Sequence, residues 1–204
     1  LPMAALSCQV KVMASLAVLA APVAAETLTL LAPVAENVAA LPSLTAATET
    51  SRRINVALDE LDTSQLFAIA CDDDNLEDAF RSVEILSDGP AYLSLIVTTG
   101  GYCTGAAHPW GSVQIVNFDL ASGKETSLTE YLPVGWSNDG RMTVPLFDFY
   151  LANLDRNDLS EDCLDSLSSV GQEGSLWFAL GIDAASHRLV LLPDGLPYVA
   201  SGCE

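Results

Sequence analysis

Val83-Glu84-Ile85-Leu86-Ser87-Asp88-Gly89-Pro90-Ala91-Tyr92-Leu93-Ser94-Leu95-Ile96-Val97 is the stretch that decides the fold. Val83 and Ile85 alternate with polar Glu84, the two-residue period of a strand. Asp88-Gly89-Pro90 is turn chemistry, in which glycine frees the backbone and proline fixes φ without offering a donor. The apolar run Tyr92–Val97 then reads as a second strand, antiparallel to the first.

Working outward, Val113, Ile115 and Phe118 keep an approximate alternation for a third strand, and the turn Ala121-Ser122-Gly123-Lys124 leads back toward Leu128 and Tyr131. Residues 143–170 read as helical, with Leu146, Phe149, Tyr150 and Leu154 on one face and a second short helix over Asp158–Leu167. Strands return at Leu176–Leu180 and Leu189–Leu192, and Pro193-Asp194-Gly195 turns the chain toward its last cysteine. Toward the N-terminus, Pro33 and Pro42 interrupt any helix in residues 26–50, leaving a strand near Thr27–Ala32. Thr50 or Ser51 caps a helix whose apolar face carries Ile54, Leu58 and Leu61. The acids Asp72-Asp73-Asp74 open a short helix containing Leu76, Ala79 and Phe80, placing negative charge at its favourable end. Strands interrupted by blocks of helix indicate an α+β fold, an antiparallel or mixed β-sheet with helices packed on one face. No internal repeat or low-complexity tract stands out in residues 26–204.

Residues 1–25 contain one base, Lys11, and no acid, then an apolar run over Val12–Ala20 and small residues ending at Ala25. This reads as an export signal cleaved after Ala25, its apolar part short of the about 20 residues that a membrane span requires. Residues 26–204 then form a single disulfide-stapled domain without a transmembrane anchor, periplasmic or secreted. That mature chain carries 27 acids against seven bases, a net charge of −20. Such a surface repels nucleic acid and anionic membranes and favours cationic partners.

Four cysteines remain, Cys71, Cys103, Cys163 and Cys203, none in a C-x-x-C pair. An even number in an exported chain points to disulfides rather than a metal cluster. Of the possible pairings, Cys71–Cys103 with Cys163–Cys203 staples consecutive segments without crossing. Each would close a loop of about 30–40 residues, which the chain-entropy model values at about 4 kcal/mol before native strain is subtracted.

Catalytic signals are thin. Gly135-Trp136-Ser137-Asn138-Asp139 is the nearest approach to a nucleophile elbow, but Asp139 replaces the closing small residue that strand-to-helix packing requires. A Ser-His-Asp triad could draw on His108 or His187, the only histidines, without any spacing that singles out its partners. The acid clusters Asp72–Asp78 and Asp155–Asp162 lack the turn glycine and distal glutamate of a calcium-binding hand and read as solvated helix starts. No cofactor or metal is implied, and a calcium-stabilised structural domain is the third-ranked reading.

The turn Tyr102-Cys103-Thr104-Gly105-Ala106-Ala107-His108-Pro109 and the following Asn117-Phe118-Asp119-Leu120-Ala121-Ser122-Gly123-Lys124 resemble the Y-x-T-G-G-A-H-P … N-F-D-L-x-T-G-K signature of a bacterial cell-envelope domain of unknown function. Ala106 stands at the second glycine of that signature. The resemblance is specific across residues 102–132 and loose elsewhere. That domain occurs in a lysozyme-sensing anti-sigma factor and beside the catalytic domain of a peptidoglycan deacetylase. The resemblance implies an exported α+β module without its own catalytic machinery, binding a cationic, lysozyme-like protein or a peptidoglycan fragment. The candidate ligand-binding residues are Tyr102, Gly105, His108 and Trp110. The competing reading is a periplasmic hydrolase that uses the His108 turn.

Overall fold

The computed structural model describes residues 10–12, 28–45, 47–69, 76–105, 110–154, 165, 167 and 176–194. In chain order the elements are β1 (Val10–Val12), β2 (Leu28–Thr29), β3 (Ser43–Leu44), helix α1 (Glu49–Ile69), β4 (Leu76–Asp88), β5 (Tyr92–Cys103), β6 (Trp110–Asp119) and β7 (Lys124–Glu125). A 3-10 turn over Thr129–Tyr131, β8 (Ser137–Asn138), β9 (Arg141–Met142), helix α2 (Val144–Asn153), β10 (Trp177–Asp183) and β11 (Arg188–Asp194) follow. Among the described residues the sheets are antiparallel, with one isolated parallel bridge between Val38 and Arg81, so the fold is α+β. The chain divides into two units: a hairpin unit of residues 16–126 and 181–186, and a companion unit of 1–15, 127–180 and 187–204.

In the hairpin unit the strand order is β4-β5-β6-β7. Val83 lies opposite Val97, Leu95 opposite Val116 and Leu93 opposite Phe118, which puts these side chains on one face. Helix α1 covers that face with Ile54 and Leu58, and all of these residues except the partly buried Val83 are buried. Each such aliphatic or aromatic burial contributes about 1.5–3 kcal/mol. Ser94 points the other way. Its hydroxyl donates to Asn117 Oδ1 at 2.7 Å and accepts from the Ile182 amide at 3.1 Å, while the Ala184 amide donates to Leu86 O at 3.0 Å. Segment 181–186 thus covers the second face. A strand covered on both faces has no need of alternation, which is why Leu93 to Val97 are all buried.

Helix α1 begins earlier than the cap expected at Thr50 or Ser51. The Ser51 amide donates to Thr48 Oγ1 at 3.0 Å, so Thr48 takes the capping role. Asn55 on the same helix donates to Leu44 O and accepts from the Leu44 amide, at 2.9 and 2.8 Å, and so secures β3.

The short helix expected over Leu76, Ala79 and Phe80 is instead the start of β4. Ala79 pairs with Gly101 and Phe80 with Gly100. The Phe80 ring occupies the space that a Cβ at Gly100 would need. Three- and four-residue spacing was compatible with a helix, but pairing along the whole of β5 offers this segment a complete ladder, and context decides over local pattern.

In the companion unit the order is β1-β11-β10-β9-β8. Helix α2 buries Leu146, Phe147 and Tyr150, with Leu154 buried just beyond it, while Phe149 lies tilted against Trp136 at 5.0 Å between ring centres. Of the second helix expected over Asp158–Leu167, only Asp165 and Leu167 are described, both helical. Three residues of the expected export signal belong to this sheet: Val10 pairs with Leu191, Lys11 with Val190 and Val12 with Leu189. No helix among the described residues is long and apolar enough to cross a membrane.

Candidate functional site

Strands β5 and β6 pair without interruption from Tyr92–Asp119 to Gly101–Trp110. Beyond Gly101 burial falls away: Tyr102 and Cys103 are half-buried, Thr104 and Gly105 exposed. Gly105 has φ +84°, and a Cβ added there would meet nothing within 4 Å, so it answers a need of the backbone rather than of space. Cys103, the last residue of β5, is disulfide-bonded. Cys71, Cys163 and Cys203 lie outside the described residues, as do Ala106 to Pro109 and therefore His108.

Register separates two of the candidate residues. Trp110 lies opposite Gly101, on the face covered by α1, and strand alternation sends Tyr102 to the opposite face. The hairpin end is therefore a two-faced blade, with Tyr102 on one side, half-buried Trp110 on the other and Gly105 at the exposed rim.

A second polar constellation escaped the sequence. Arg81 is only one of the seven bases in the count of charges over residues 26–204, yet its side chain is 0% exposed. Its Nε donates to Ala39 O at 2.6 Å and its Nη2 forms an ion pair with Asp62 Oδ1 on α1. That ion pair is a close approach without hydrogen-bond alignment. The Arg81 backbone also pairs both ways with the N-terminal segment, donating to Asn37 O and accepting from the Ala39 amide, each at 2.9 Å. Gln65, less than a turn beyond Asp62, donates to Gln114 Oε1 on β6 at 3.1 Å. This cluster ties helix, sheet and N-terminal segment together. Its chemistry is that of a clamp.

Among the described residues, neither the Ser137 elbow nor a triad on His187 takes shape; a triad on His108 lies outside them. Ser137 belongs to the β8–β9 hairpin, closed by Asp139 and Gly140 at φ +48° and +79°, with no elbow leading into a helix. Asp183, Ser186 and His187 are neighbours in the turn before β11, but Ser186 Oγ donates to Asp183 Oδ2 at 2.5 Å, and Asp183 Oδ1 accepts the Ala185 and Ser186 amides. The serine proton is committed to the carboxylate rather than to an imidazole base, so the group closes a turn. A shallow depression on the exposed side of α1 is lined by Val56, Asp59, Glu60, Thr63 and Ser64. No family model matches the chain, and no curated protein sequence matches it.

Proposed function

We propose that this is an exported, non-catalytic envelope module that binds a protein or cell-wall ligand through the end of the β5–β6 hairpin. The supporting observation is the blade itself: an unbroken ladder rooted in a buried core, ending in a disulfide-bonded cysteine and an exposed turn. A recognition loop on a rigid scaffold loses little conformational entropy when it engages a partner. Formal charge of −19 on the full chain favours a cationic partner of the lysozyme type, and a peptidoglycan fragment is the cell-wall alternative. The reading includes periplasmic or secreted placement, cleavage after Ala25 and the pairings Cys71–Cys103 and Cys163–Cys203.

Pull-down with lysozyme and with muropeptides, run beside a panel of hydrolase substrates, tests it. Because Tyr102 and Trp110 face opposite ways, a ligand seated on one face should lose affinity in Tyr102→Ala or in Trp110→Ala, but not equally in both. An activity that vanishes in His108→Ala while the melting temperature holds would replace this reading with the hydrolytic one.

A further inference from the structure

Away from the hairpin end, we infer that Trp177 and the β8–β9 turn of the companion unit form a binding platform for a neutral saccharide. Trp177 opens β10 directly opposite Arg141, and 47% of its surface is exposed. The Arg141 guanidinium carbon lies 4.6 Å from the centre of the indole ring. Gly140 completes the seat, because a Cβ there would stand 3.0 Å from the indole Cζ3, closer than side chains normally approach. The ring is thus held in a fixed pose with much of its surface still open to solvent.

Three features select the ligand. The negative π-face of an indole attracts the polarised C–H groups on the flat side of an all-equatorial pyranose. With one face of its guanidinium against the ring, Arg141 keeps its N–H edge for hydroxyl oxygens, and no ion pair among the described residues involves it. Asn138 and Asp139, exposed in the same turn, add an amide and a carboxylate for further hydroxyl groups. Charge narrows the class: at this spot the Asp139 carboxylate opposes an anion and the Arg141 guanidinium opposes a cation. A neutral ring rich in hydroxyls satisfies both constraints. This platform is independent of the hairpin end and stands or falls separately from it.

The test is titration of the full chain with cellotriose and with chitotriose, followed through the indole N–H resonances of its three tryptophans. The expected result is a saturable shift of the Trp177 resonance, with affinity falling on the order of tenfold in Trp177→Ala. Gly140→Ala, which keeps the indole but displaces it, should weaken binding several-fold. Exposed Arg141→Met and Asn138→Ala provide the same readout should the Trp177 variant unfold. A Trp177 resonance unmoved by both trisaccharides, or affinity indifferent to all four substitutions, overturns the proposal.

Discussion

Gly123 and His187 hold the same place in two turns built on one pattern, Asp119-Leu120-Ala121-Ser122-Gly123-Lys124 and Asp183-Ala184-Ala185-Ser186-His187-Arg188. In each, the aspartate Oδ1 accepts the amides two and three residues on, and the fifth residue takes a positive φ, +71° at Gly123 and +54° at His187. A left-handed conformation costs a residue with a Cβ about 1–2 kcal/mol, partly offset for glycine by its larger freedom in the unfolded chain. His187→Gly should therefore stabilise the protein, by at most about 1 kcal/mol, measured by urea denaturation. Gly123→Ala should do the reverse and cost more, about 2 kcal/mol or above, because strain is joined by crowding. The added Cβ would stand 2.9 Å from Thr50 O at the start of α1. The first turn was legible in the sequence because glycine advertises its conformation. The second was not, because a histidine in the same conformation looks like any polar loop residue.

Helix α1 is held from below by the Arg81–Asp62 pair and at its start by Glu49, and the two should respond differently to mutation. Asp62→Ala leaves a guanidinium with no exposure and no carboxylate, and should cost about 3 kcal/mol or more. Replacing both partners with apolar residues, Arg81→Met with Asp62→Leu, should cost less than that single change, which a double-mutant series in denaturant would show. Glu49 accepts side-chain hydrogen bonds from Arg52 and then Arg53, and these hold its carboxyl below the ordinary 4.5. A carboxylate with a depressed folded value contributes stability that is present above 4.5 and is lost as pH falls through the folded value. Glu49→Gln should thus lower the melting temperature slightly at neutral pH and in low salt, with the difference disappearing in acid. α1 was readable because Ile54, Leu58 and Leu61 mark one face of a local structure, and the β4–β5 turn because Gly89 and Pro90 mark it. The first residues of β4 were misread because their partners, Gly100 and Gly101, lie some twenty residues away in sequence. The candidate hairpin end was legible as a dense turn, but the separation of Tyr102 from Trp110 depends on register, which no local pattern states.

At the scale of the whole molecule, acidity and processing bear on the same binding proposal. Cleavage after Ala25 would remove β1 from beside β11, so the processed chain should show faster amide exchange in the Leu189–Leu191 stretch of β11 than the precursor. Acidity raises a different question, because a charge of −19 attracts every basic protein at long range and specifies none. Attraction between exposed charges is screened beyond about 8 Å at physiological ionic strength, whereas apolar contacts at a desolvated interface persist. A cognate basic partner should therefore bind tightly in low salt, weaken as salt rises and then level off at a remainder supplied by residues such as Tyr102 or Trp110. A merely basic protein should weaken without levelling. Calorimetric titration of lysozyme and cytochrome c over one salt series separates the two. The expectation is a salt-resistant remainder for lysozyme alone, reduced in the variant whose aromatic residue faces it. Equal affinities that vanish together would mean that the charge serves solvation and that the lysozyme-like partner should be abandoned.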